Sequence, residues 1–196
     1  MMSIHKPSTF IGVWFLISSL IVCWDTGYIL LRPRSMKGGD LHWIWAPYEL
    51  YGTIDYIYGP TAWNAMDGFP KAQSVMNIAE TILNFLYLYL AYVDKSLEAL
   101  CIAPVIGFTA VIMTASKTVL YLFNDWFCGP SGWCKTGHND WKTYIFLWFI
   151  PNTPWIFVPT TIAYLLGREI VANLTIAGKV TQGGARGAAA RKSKSH

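Results

Sequence analysis

Four stretches of about twenty apolar residues, 9–31, 75–93, 100–123 and 144–167, leave this chain few ways to fold. As a helix, each is long enough to cross about 30 Å of hydrocarbon, where backbone polar groups must satisfy one another. Composition agrees: 54% of the 196 residues are hydrophobic and 13% are charged, with 10 Trp, 11 Tyr and 10 Phe, too apolar and aromatic for an ordinary soluble domain. The expected fold class is all-α, an integral membrane four-helix bundle over 9–170 followed by a basic tail, 171–196. The first stretch is too long for a cleaved signal, and Trp24-Asp25-Thr26 stands where small residues would be needed, so it reads as a retained span.

Outside the spans, the N-terminal segment, second loop and tail carry eight Lys and Arg, against six in the longer first and third loops. This bias orients both termini to the cytosol. The tail, "GGARGAAARKSKSH", lacks core-forming residues and reads as disordered. Two readings of it stay open: a positive-inside anchor at anionic headgroups, or a dilysine-type retrieval signal in Lys192 and Lys194. The second places the protein in the endoplasmic reticulum membrane. Cys128 and Cys134 then face the oxidising lumen, where a local disulfide is plausible; a zinc site with His138 lacks a fourth ligand and the usual spacing.

The first loop, 32–74, is rich in Trp and Tyr and reads either as a lid over the lumenal mouth of the bundle or as an interfacial aromatic belt. No Walker motif, nucleophile elbow or folded basic face is present, which disfavours nucleotide chemistry, serine hydrolysis and nucleic-acid binding. A membrane lipid or hydrophobic small molecule is the expected partner, with a homodimer left open.

Each span carries a residue that hydrocarbon penalises: Asp25, Glu80 with Asn77 and Asn84, Lys117, and Asn152. With a rise of 1.5 Å per residue, Asp25, Glu80, Lys117 and Asn152 all fall roughly 8–12 Å from span ends on one side of the membrane. Asn77, Glu80, Asn84 and Tyr87 share one helix face, Lys117 lies with Thr114 and Tyr121, and Asn152 with Trp148 and Trp155. An apolar pocket with convergent polar groups is the usual character of a small-molecule site. The plainer alternative is an ion pair that only ties helices together. Against it, a buried charged network stabilises poorly compared with apolar packing, whereas two acids beside an ammonium divide naturally into proton donor and acceptor. Prolines 151, 154 and 159 predict a kinked fourth span.

With Asp25 near the end of the first span, Asp55-x-x-Tyr58 before the second, Glu80-Thr81 within it, "TVLYLFND" closing the third and Asn152-x-x-Trp155 in the fourth, residues 10–170 resemble the EXPERA superfamily of emopamil-binding sterol isomerases and the sigma-two receptor. The "RPRSMKGGDLHWIW" loop is similar to that of fungal EXPERA-domain proteins. The resemblance implies double-bond migration through a protonated, carbocationic lipid without a cofactor. Glu80 and Asp25 are the implied acids, Lys117 sets their charge, and Asn77, Asn84, Asp55, Tyr58, Tyr121, Trp148, Asn152 and Trp155 are candidates for substrate binding. Two positions depart from the isomerase pattern. Ile21 stands where a relay histidine is expected, and Thr118, beside Lys117, where an acid is expected.

Overall fold

A computed structural model describes residues 5–193, with side chains as far as 183. Among the described residues every regular element is helical. Four helical segments are long and apolar enough to cross a membrane.

Helix α1 (Thr9–Leu30) is the first of them. A 3-10 turn (His42–Trp45), α2 (Pro47–Ile54) and α3 (Pro60–Asn64) occupy the first loop. Helix α4 (Phe69–Leu88) begins before the expected residue 75. Pro70 lies in its first turn, where a missing N–H breaks no helical bond. It runs on as a π-helical segment, Tyr89–Asp94. Helix α5 (Leu97–Trp126) starts where the Ser96 hydroxyl accepts the N–H of Ala99.

The fourth crossing is interrupted around Pro151 and Pro154, whereas Pro159 lies inside continuous helix. Helix α6 (Trp141–Thr143) is capped by the Asp140 carboxylate, a π-helical segment covers Tyr144–Phe149, and α7 (Ile150–Asn152) leads through Thr153 into α8 (Pro154–Ser193). Pro151 and Pro154 have no N–H for the carbonyls one turn earlier. Side chains bond the neighbouring carbonyls: Asn152 Nδ2 donates to Trp148 O at 2.7 Å and Thr153 Oγ1 to Phe149 O at 2.8 Å.

Helix α8 continues through Ser193. Ala, Arg and Lys build a poor core but are among the best helix formers, so this composition argues against packing and not against helix. Lys194, the second lysine of the retrieval motif, lies outside the described residues.

Helix α1 packs on α4, α4 on α5 and α5 on α8, and Trp14 meets Trp155 edge to face at 5.4 Å to close the ring. Ile11, Phe15, Tyr87, Val111, Ile162 and Leu166 fill the half of the bundle remote from the first loop. There the N-terminal segment is strapped down by His5, which hydrogen-bonds Glu169 at 3.0 Å and the Tyr87 hydroxyl at 3.1 Å. The outward faces stay apolar, with Leu20 and Ile82 each 60% exposed, a surface suited to hydrocarbon rather than water. Toward the first loop the apolar filling stops. The bundle is hollow at that end.

Candidate functional site

The hollow is a cavity of about 460 Å³. All four crossings line it, through Asp25 on α1, Asn77 and Glu80 on α4, Lys117 and Tyr121 on α5, and Asn152 and Trp155 on the broken fourth crossing. Asp25, Glu80, Lys117 and Asn152 therefore meet around one space. The first loop completes the wall with Tyr48 and Tyr51 of α2, and with Tyr58. Ile21 also lines the cavity.

Lys117 Nζ stands 2.8 Å from Glu80 Oε2 and donates to Asn77 Oδ1. Glu80 is 1% exposed, and neither of its oxygens receives a well-directed hydrogen bond among the described residues. The contact with Lys117 is close but poorly aligned, so Coulomb attraction holds it. Such a carboxylate keeps acceptor capacity for something else. On another wall, the Tyr48 hydroxyl donates to Asp25 Oδ1 at 2.5 Å. Tyr48 stacks on Tyr28 at 4.1 Å and lies 5.3 Å from Tyr58, which is 5.0 Å from Tyr51. Burial pushes the Tyr48 and Tyr58 phenols above their ordinary range, so they remain hydrogen-bond donors. Asn152 Nδ2 approaches the Tyr51 hydroxyl at 3.3 Å.

Three expected binding residues lie behind the wall. Asn84 shares the face of Glu80 but sits a turn deeper, where it donates to Ser19 Oγ at 3.1 Å and joins α4 to α1. Asp55 is fully buried outside the lining, receiving Trp148 Nε1 at 2.8 Å, the N–H of Ile57 at 3.0 Å and the Tyr121 hydroxyl. Trp148 is turned toward that carboxylate and away from the cavity. Burial pushes the Asp55 carboxyl up, while the Tyr121 and Trp148 bonds oppose the shift. These residues position the wall: Asp55 fixes the hydroxyl of Tyr121, whose ring lines the cavity.

The first loop is held at both ends. Trp45 Nε1 donates to Trp24 O at 2.8 Å, Tyr28 OH to Tyr58 O at 2.8 Å, and Arg32 Nη2 to Ile57 O at 3.1 Å. From the third loop, the His138 imidazole donates to Thr53 O at 2.7 Å and stacks on Tyr56 at 3.9 Å, while Asn139 Nδ2 donates to Ile54 O at 2.8 Å. Cys128 and Cys134 are disulfide-bonded, with Cα atoms 5.6 Å apart, so their sulfurs are spent on each other and not on a metal with His138. Asp125 organises the same loop by accepting from Lys135 N at 2.7 Å and from the Thr136 hydroxyl.

Sequence reasoning missed Tyr48 and Tyr51 as wall residues. Their only signal was the density of aromatics in the first loop, which marks an interface without saying which rings turn inward. The chain matches no family model, no curated protein and no solved structure. Residues and geometry alone therefore bear on its function.

Proposed function

We propose that this chain is an integral membrane isomerase or cyclase that moves a double bond, or closes a ring, in a hydrophobic sterol-like, terpenoid or polyketide-like substrate. One observation carries the reading: the buried Glu80 carboxylate faces a largely apolar cavity with an ion pair and no hydrogen-bond donor of its own among the described residues. Asp25, across the same space, supplies a second acid. A proton added to one alkene carbon from the Asp25 side leaves a carbocation on its neighbour. Loss of an adjacent proton to Glu80 returns that C–H electron pair as the new double bond, and no electron enters or leaves. For ring closure, a second alkene donates its π pair to the cation before the proton departs. Tyr48, Tyr51, Tyr58 and Trp155 offer π faces that stabilise such a cation. Lys117, 2.8 Å away, is the counter-ion of the Glu80 carboxylate. The order of polar residues along the spans, like that of EXPERA proteins, supports the same assignment, and the charge bias of the loops with Lys192 and Lys194 supports placing the protein in the endoplasmic reticulum membrane with cytosolic termini.

A second reading, a non-catalytic sterol or amine receptor or a chaperone-like membrane protein, is favoured by Ile21, which presents no proton relay where it lines the cavity. The two readings separate with Glu80→Gln and Asp25→Asn in membranes supplied with candidate sterols and terpenoids in deuterated water. An enzyme incorporates deuterium into rearranged product, and each variant abolishes incorporation while retaining ligand affinity. A receptor shows no incorporation, and Glu80→Gln weakens its binding of cationic amines. Product formation that survives both substitutions ends the catalytic assignment.

A further inference from the structure

The ammonium of Lys117 is an unusual wall for a site built around a cation. It has three N–H bonds; among the described residues Asn77 Oδ1 accepts one, and Glu80 Oε2 stands 2.8 Å away as a counter-ion without an aligned hydrogen bond. Its side chain is 13% exposed and lines the cavity. Gln73 Nε2 donates to the backbone carbonyl of Lys117 at 3.1 Å, which ties this turn of α5 to α4 and holds the lysine in place. Asn77 spends its carbonyl on the ammonium and has no partner for its amide N–H groups among the described residues. The cavity therefore has two chemically distinct walls. On the α1 and first-loop side stand Asp25 and the tyrosine rings, suited to positive charge. On the α4 and α5 side stand two donor groups, the Lys117 ammonium and the Asn77 amide, beside the Glu80 carboxylate that the ammonium neutralises, around a space that is otherwise mostly apolar.

We propose that the Lys117–Asn77 wall anchors a carbonyl oxygen, so that the ligand of this cavity is a hydrophobic ketone with its alkene portion toward Asp25 and the aromatic side. A carbonyl only accepts hydrogen bonds, and both donors here are without a further protein acceptor. An ammonium also rejects a purely hydrocarbon group at this position, because burying a charge against carbon without a partner is costly. The inference rests on the proposed function only in calling the ketone a substrate; as a statement about binding it stands on this geometry.

The test uses the full-length protein in lipid nanodiscs with two probes, a steroid ketone and the same skeleton carrying an exocyclic methylene in place of the carbonyl. Wild type is expected to bind the ketone about tenfold more tightly, the scale of one hydrogen bond to a charged group. Lys117→Met should reduce that preference to within about twofold, and Lys117→Arg should keep most of it. Because Lys117→Met strands the Glu80 charge and can impair folding, Lys117→Met with Glu80→Gln provides a neutral pair with the same predicted loss. A measurement without substitution completes the test: the carbonyl stretch of the bound ketone moves to lower wavenumber than in lipid. Equal affinities for the two probes, a preference that survives loss of the ammonium, or an unshifted stretch overturns the proposal. A Lys117-dependent ketone preference without deuterium incorporation upholds the anchor and removes the catalytic reading. Incorporation into a ligand lacking oxygen, with no ketone preference, does the reverse.

Discussion

The ammonium of Lys117 on α5 lies 2.8 Å from the carboxylate of Glu80 on α4, in a place where neither charge has bulk water to solvate it. Each makes the other tolerable. Removing one partner of such a pair costs about 3–5 kcal/mol, whereas replacing both by neutral groups of similar volume is close to neutral. Lys117→Met should therefore lower the thermal midpoint in detergent sharply, and Lys117→Met with Glu80→Gln should recover most of the loss. If the double variant is as unstable as the single one, the ion pair is not what makes Lys117→Met costly.

The packed half of the bundle depends on Gly107. A Cβ there would stand 2.9 Å from Tyr87 Cδ2 and 3.0 Å from Leu166 Cδ1, at the junction of α4, α5 and α8. Small residues let membrane helices approach closely, and overpacking a filled core typically costs about 1–3 kcal/mol. Gly107→Ala should destabilise by that order even though alanine is the better helix former. Gly178→Ala, with open space around its Cβ position on α8, should be neutral or slightly stabilising. Paired thermal-unfolding curves check both.

The height at which Asp25, Glu80, Lys117 and Asn152 meet was legible because helical rise and alternating crossings set depth regardless of packing detail. The side chains that only accompany them were not. Asn84 lies on the face of Glu80, yet a face does not say which neighbour covers each turn, and Ser19 covers this one. Trp148 lies one turn from Asn152, but its indole N–H is drawn to Asp55, and no periodicity within one span reports a partner in a loop. The inward rings of α2 were equally hidden, since their direction depends on contacts with a third loop more than seventy residues downstream.

A further contact between the first and third loops is sensitive to acid. Asp67 pairs with Lys135 Nζ at 3.0 Å and accepts the N–H of Phe69 at 2.9 Å. Partial burial opposes ionisation, but the Phe69 N–H and the lysine outweigh it and hold the carboxyl below its ordinary 3.8. A depressed carboxyl contributes stability above its unfolded value and loses that contribution as pH falls through the folded one. The stability difference between wild type and Asp67→Asn should be present at neutral pH, begin to shrink as pH falls past 3.8, and vanish only below the carboxyl's depressed folded value. For a half-buried pair at the rim of two loops it amounts to about 1 kcal/mol. A difference that stays constant from neutral pH to strong acid contradicts this account.

The disulfide between Cys128 and Cys134 acts on the cavity at one remove. It closes residues 128–134, the part of the third loop just before His138 and Asn139, and those two side chains hold the carbonyls of Thr53 and Ile54 at the end of α2. Helix α2 in turn supplies Tyr48 and Tyr51 to the cavity wall. A short covalent loop narrows the unfolded ensemble and stabilises by about 2 kcal/mol. Cys128→Ser with Cys134→Ser should therefore loosen the lid before it loosens the bundle. Amide hydrogen exchange is expected to rise over residues 47–58 while protection over α5 near Val111 stays unchanged, because that region packs in the filled half of the bundle. Uniform loss of protection in both regions would mean that lid and bundle open as one unit, and unchanged exchange over 47–58 would mean that the third loop does not govern the lid.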